Sequence, residues 1–142
     1  MDSDASSCMM INKSKAILLV EDNEDDVFFM KRALKEARIE IPVHVASDGR
    51  MAINYLAGVG EYSDRDRHPL PRFVFLDLKL PYKSGFEVFC WIREQPALRE
   101  SIVVILTSSP EPRDRELAQQ LGAHSYIVKP PSPQVLSNIL VQ

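Results

Sequence analysis

Short apolar runs in this sequence each end in a different polar residue type, and together those residues suit phosphoryl chemistry. Ala16 to Val20 leads into Glu21 and Asp22, Phe73 to Leu76 into Asp77, Ile102 to Leu106 into Thr107, and Ser125 to Val128 into Lys129. If the runs are parallel strands of one sheet, their C-terminal ends share an edge, and open α/β sheets bind ligands there. Carboxylates, a hydroxyl and an ammonium would then converge on one small pocket. Glu21, Asp22 and Asp77, brought close, repel one another unless a cation neutralises them. Mg²⁺ does so with hard oxygen ligands and keeps several waters, so one or two direct carboxylates suffice. The metal makes a phosphate tolerable in an otherwise anionic pocket, Lys129 adds a second point charge, and the Thr107 hydroxyl can donate to a phosphate oxygen.

Each of these residues has a plainer reading when taken alone. A terminal Asp forms turns, a terminal Thr ends strands and a lone Lys is a surface charge; it is their arrival in sheet order that points to a site. Glu24, Asp25 and Asp26 follow directly, and they read as helix N-terminal charge favoured by the dipole. His44, His68 and His124 are scattered without metal-ligand spacing.

The elements that must position the pocket alternate between continuous apolar runs and segments of helical period, which predicts a parallel sheet buried on both faces. The order is βαβαβαβαβα. Asn23 is a good N-cap for the first helix, with Val27, Met30, Leu34 and Ala37 along one face. Strand 2 is Val43 to Ala46, followed by a helix from Asp48 to about Ala57. Ser84 caps the third helix, Phe86, Phe89 and Ile92 line its inner stripe, and Pro96 stops it. Pro112 opens the fourth helix, whose Leu117, Ala118 and Leu121 face inward before Gly122 ends it. Ser132 and Pro133 start the last, with Val135, Leu136, Ile139 and Leu140 inward. Met1 to Ser14 is polar and aperiodic and reads as a disordered leader, leaving 15–142 as one domain. The interval from Gly58 to Pro71 is either a functional insertion or a solvated loop.

Composition narrows the function classes. With 142 residues, 45% of them hydrophobic, one core is expected, without room for a further output domain. The net charge of −3 and the lack of a basic stripe argue against nucleic-acid binding. No apolar stretch reaches the ~20 residues of a membrane span, and the N-terminus has no basic-then-apolar pattern. Cys8 and Cys90 do not make a disulfide framework, so a reducing, cytoplasmic location is expected.

Taken together, Glu21-Asp22-Asn23, Asp77-Leu78-Lys79-Leu80-Pro81 with Gly85, Thr107-Ser108 and Tyr126-Ile127-Val128-Lys129-Pro130 resemble the receiver domain of two-component response regulators. The resemblance covers about residues 15–142. The long loop before strand 3 and the absence of an output domain also look like single-domain regulators paired with bacterial phytochromes. The resemblance implies a doubly wound, five-stranded parallel sheet of flavodoxin-like order 2-1-3-4-5 with helices on both faces. Its switch point lies between strands 1 and 3, flanked by Glu21, Asp22 and Asp77.

The resemblance further implies that Asp77 accepts a phosphoryl group from a histidine kinase or histidine phosphotransfer protein. Asp22 and Asp77 would ligate Mg²⁺, Glu21 would act mainly through a bound water, and Lys79 would contribute its backbone carbonyl. Lys129 would pair with phosphoryl oxygens, Thr107 would swing toward them, and Tyr126 would change rotamer behind it. Such a chain is a phosphoacceptor that assists its own phosphorylation and dephosphorylation rather than a turnover enzyme. Its signal leaves through a protein surface to a downstream protein or through homodimerisation, the face of helix 4, strand 5 and helix 5 being favoured. Lys129-Pro130 is a candidate cis bond by the same resemblance. Pro131 departs from the usual aromatic or aliphatic residue after the Lys-Pro pair, and Leu80 replaces a frequent Met.

The competing classes differ at single positions. An aspartyl-nucleophile phosphohydrolase resembles this pattern but carries an acid two residues after its nucleophile, where this chain has Lys79. A flavodoxin-like cofactor carrier needs a Gly- or hydroxyl-rich cradle after strand 1, and Glu21 to Asp26 would repel its phosphate. A phosphate-independent interaction module would have no use for so complete a pocket.

Overall fold

The structure, a computed structural model, describes residues 15–141. The expected leader at 1–14 lies outside the described residues. The strands are β1 (Ile17–Val20), β2 (Val43–Ala46), β3 (Phe73–Leu76), β4 (Ile102–Thr107) and β5 (Ser125–Val128), and the helices between and after them are α1 (Glu24–Glu36), α2 (Gly49–Ala57), α3 (Gly85–Arg93), α4 (Pro112–Gln120) and α5 (Pro133–Leu140). The strands form one parallel sheet in the order β2-β1-β3-β4-β5. This is the doubly wound order that the resemblance to receiver domains implies.

The apolar runs are continuous because both sheet faces are covered. Leu18, Val20, Val74, Leu76, Val103 and Ile105 pack with residues of α2 and α3 and with Ala118 of α4 on one side. Their neighbours Ile17, Leu19, Phe73, Phe75, Val104 and Leu106 pack with α1 and α5 on the other. Side chains alternate across a strand, so a run without polar positions is what burial on both faces requires. The register sets the site: Val20 pairs with Leu76, which leaves Glu21 and Asp77 level with each other one step beyond the paired strands.

Local signals place the helix starts. The Asn23 side chain accepts from the Asp26 N–H at 3.1 Å, the Asp48 carboxylate from Met51 N–H at 2.8 Å, and the Ser132 hydroxyl from Val135 N–H at 3.1 Å. Ser84 and Glu87 form a reciprocal capping box at α3. Pro112 and Pro133 occupy first-turn positions, where a missing N–H costs nothing. α3 ends at Arg93, ahead of Pro96, and the proline opens a separate 3₁₀ turn, Pro96–Leu98. Two side chains depart from the expected inner stripes: Leu117 is 39% and Val135 37% exposed. In both helices the following residue, Ala118 or Leu136, is the buried one, so the true stripe is narrower than the run of apolar letters.

The 58–71 interval is packed rather than merely solvated. It contains a 3₁₀ turn, Gly60–Ser63, and is pinned by Arg65. The Arg65 guanidinium donates to the carbonyls of Tyr55 and Leu56 at 2.9 Å each and of His68 at 3.0 Å. It thereby satisfies the Leu56 carbonyl at the C-terminal end of α2 and adds a second donor to the Tyr55 carbonyl, which also accepts the Gly58 N–H at 3.2 Å. The Tyr55 hydroxyl reaches the Pro69 carbonyl at 2.9 Å, and the rings of His44, Tyr55, Tyr62 and His68 pack against one another. Among the described residues no helix is long and apolar enough to cross a membrane.

Candidate functional site

The pocket is built where the strands run out. Glu21 and Asp77 each extend the ladder by one bond, Glu21 N–H to the Ala46 carbonyl at 2.9 Å and Asp77 N–H to the Val20 carbonyl at 3.1 Å. Their backbones are therefore as rigid as the sheet. Glu21 is 2% and Asp77 6% exposed, whereas Asp22 opens to solvent. Carboxylate oxygens of Glu21, Asp22 and Asp77 lie within 4.8 Å of one another. That donor set, hard oxygens only, fits a divalent cation such as Mg²⁺ or Mn²⁺.

Lys129 lies at the end of β5, its N–H bonded to the Thr107 carbonyl at 2.8 Å. Its ammonium pairs with Glu21, with Asp77 at 2.8 Å and with Asp26 at 2.8 Å. Burial by itself lowers the proton affinity of Lys129, but the carboxylates around it outweigh that and raise it well above the usual lysine range. Glu21 is shifted upward chiefly by burial, opposed by Lys129 and the Asn23 N–H and reinforced by the Asp77 charge. The ammonium thus already does part of the work that a cation must do among these acids.

The loop after β3 holds Asp77 in place. The Lys79 N–H donates to Asp77 Oδ1 at 3.3 Å, and the Gly85 N–H returns to the Leu78 carbonyl at 2.9 Å. A Cβ at Gly85 would lie 2.2 Å from the Asp77 carbonyl oxygen and 2.6 Å from Leu78 Cα. Only glycine permits the first turn of α3 to approach the loop so closely. The Lys79 side chain is exposed.

Thr107 and Tyr126 belong to a second, adjoining network. Thr107 is fully buried, and its hydroxyl accepts a long bond from the Ser109 N–H at 3.4 Å. The Ser109 hydroxyl donates to Asp114 at 2.8 Å, and the Tyr126 hydroxyl donates to the Ser109 carbonyl at 2.7 Å. The Arg115 guanidinium lies over the Tyr126 ring, 4.5 Å from its centroid. Burial raises the Tyr126 phenol above its ordinary range, which keeps it a donor. Lys129-Pro130 is cis.

The structure therefore gathers Glu21, Asp22, Asp77 and Lys129 into one cluster, sets Thr107 and Tyr126 in the network beside it, and brings only the backbone of Lys79 to Asp77. Sequence reasoning missed Asp26, assigning it to the helix dipole. The available signal was position: a helix that starts after only three residues beyond a strand end turns its first-turn side chains toward the same edge. Asp114 and Arg115 were also missed, since the pairing of α4 with the β4–α4 loop has no sequence periodicity.

Comparison with known proteins agrees with this geometry. A family model described as the response regulator receiver domain matches residues 17–141. The response regulator Rcp1 of Synechocystis sp. is 36% identical over 118 residues, covering 83% of this chain and 78% of that protein. The solved Mn(2+)-bound form of Rcp1 superposes with a TM-score of 0.79 at 32% identity, covering 89% of this chain and 94% of that one. The bacteriophytochrome response regulator AtBRR gives 0.78 at 38% identity, with 87% and 88% covered.

Proposed function

The chain belongs to the response regulator receiver domain family, a two-component signalling module, and from that premise we propose that Asp77 accepts a phosphoryl group from a sensor histidine kinase or a phosphotransfer protein. An Asp77 carboxylate oxygen forms a bond to phosphorus as the donor's P–N bond breaks and the departing imidazole takes a proton. A divalent cation held by Asp22 and Asp77, with Glu21 acting through water and Lys79 through its carbonyl, supplies charge neutralisation and Lewis acidity when bound. Lys129 pairs with the phosphoryl oxygens as the negative charge builds outside Asp77. The Thr107 hydroxyl donates to a further oxygen, and Tyr126 follows it. The signal leaves through the face of α4, β5 and α5 toward a protein partner. The likeness to the bacteriophytochrome response regulator AtBRR supports a kinase of the phytochrome class, and a cytoplasmic setting, expected from the cysteine usage, is part of the proposal.

The observation that carries this reading is the placement of a nearly buried Asp77 carboxylate 2.8 Å from the Lys129 ammonium and within 4.8 Å of Glu21 and Asp22. Against a phosphohydrolase, the position two residues beyond Asp77 holds Lys79 in place of the carboxylic acid such enzymes carry there, and its side chain is exposed while its backbone N–H reaches Asp77. Intact mass after exposure to acetyl phosphate tests the proposal. One phosphoryl group is expected with Mg²⁺ and none with chelator, Asp77→Asn abolishes labelling, and Asp22→Ala slows it and raises the Mg²⁺ concentration needed. Unchanged labelling of Asp77→Asn, or steady turnover of a phosphomonoester, overturns it.

A further inference from the structure

Lys129 has an ammonium with three N–H donors, and each of its carboxylate partners comes from a different element. Glu21 stands at the end of β1, Asp77 at the end of β3, and Asp26 in the first turn of α1. Asp26 differs from the other partners in exposure: its side chain is 32% accessible, against 2% for Glu21 and 8% for Asp77. It is thus the partner most open to bulk water. The charge of Asp26 is not needed to cap α1, because its backbone N–H, not its carboxylate, makes the cap bond to Asn23.

We propose that Asp26 is a positioning residue that competes with the phosphoryl group for Lys129 and so sets how tightly the pocket takes that group. The inference rests on the reading of Asp77 as phosphoacceptor. In the unphosphorylated protein the ammonium is shared among Glu21, Asp77 and Asp26. A phosphoryl group on Asp77 brings new anionic oxygens, and Lys129 meets them only by loosening an existing pair. Asp26 is the one whose release costs least, because its carboxylate can be hydrated in place. While it remains ionised it also repels the incoming charge. Removing that charge leaves Lys129 anchored by Glu21 and Asp77 and strips away the competitor, so the phosphoform gains. Coupling of this kind runs both ways: a bound phosphoryl group weakens the Asp26–Lys129 contact to the same degree.

The test uses Asp26→Asn, which keeps shape and removes charge, beside Asp25→Asn, which removes the same charge from the same helical turn; no bond joins Asp25 to Lys129 among those described. Binding of beryllofluoride, a phosphoryl mimic, is measured by calorimetry at saturating Mg²⁺. Asp26→Asn should bind roughly three- to fivefold more tightly, the upper part of the range expected of a partly exposed ion pair, while Asp25→Asn stays within about twofold of wild type, a long-range effect screened by salt. An equal gain in both variants, or none in Asp26→Asn, overturns the proposal. A wild type that takes neither beryllofluoride nor label overturns the phosphoacceptor reading along with it. A second readout needs no phosphoryl group: the Lys129 ammonium protons, followed by ¹H–¹⁵N spectroscopy, should exchange with water faster in Asp26→Asn at unchanged thermal stability, and unchanged exchange overturns the contact itself.

Discussion

Thr107 and Lys79 show how holding a phosphoryl group and reporting its presence fall to different side chains. The Thr107 hydroxyl is held only by a long bond from Ser109 N–H in the structure described, so it can change partner at small cost. Thr107→Ala should therefore still be labelled by acetyl phosphate but lose most of the amide-exchange change across residues 107–131, because the hydroxyl supplies the differential contact between the two states; a phosphorylated variant that responds like wild type refutes this role. Lys79 is exposed beside Asp77, and its long ammonium side chain can lie over a phosphoryl group and hinder water. Lys79→Asn should speed dephosphorylation about tenfold, equivalent to about 1.4 kcal/mol of barrier, read from the decay of phosphorylated mass after donor removal. Ser109, two residues beyond Thr107, is tied by its hydroxyl to Asp114 and so is committed elsewhere. The strand-end residues were legible because each is fixed by one step of backbone from an apolar run. Asp26, Asp114 and Arg115 were not, because their partners lie on other elements and no spacing encodes them.

At the scale of elements, the loop from β3 to α3 is the part of the frame with least freedom. Gly85→Ala places a methyl group against Asp77 and Leu78 backbone, neither of which can yield without moving the acceptor. A loss of about 1–3 kcal/mol of stability is expected from such overpacking, with slower labelling of Asp77; thermal unfolding and intact mass measure the two, and an unaffected labelling rate would mean that the loop position does not govern Asp77. Strand bounds and helix caps were readable from local rules, since a buried parallel strand and an N-cap residue leave marks in sequence. Inner helix stripes were less so. Leu117 and Val135 are apolar yet exposed, because helical period says which residues share a face but not how wide the covering layer is. Both helices border β5, on the face proposed for partners, and light scattering with and without acetyl phosphate tests whether a second copy of the chain docks there. A monomer in both states assigns that face to other proteins.

For the molecule as a whole, the packed 58–71 interval gives stability a pH dependence away from the pocket. His44 on the edge strand sits 6.4 Å from His68 and 5.8 Å from Tyr55, ring to ring, and burial first, then the His68 charge, lowers its proton affinity below the usual 6.5. Above that value folded and unfolded chains both carry neutral His44; below it the unfolded chain takes the proton first, so stability is full at higher pH and falls as pH drops through the depressed folded value. Thermal midpoints between about pH 7.5 and about pH 5 should decline, and His44→Gln should flatten the decline; an identical slope in the variant would assign it to other groups.

The ion pairs of Lys129 also have a consequence in the order of synthesis. Its partners Asp77 and Asp26 precede it by 52 and 103 residues. A chain emerging from the ribosome presents β1 and β3, with Glu21 and Asp77 crowded at their ends, well before any ammonium exists to lie between them. Until β5 docks, hydration, protonation or a bound divalent cation must relieve those acids, and the sheet edge closes less tightly over them. The last strand to be made supplies the charge that steadies the ends of the first and third, so a nascent or clipped chain lacking it should expose this end of the sheet to proteases even with its apolar core already gathered.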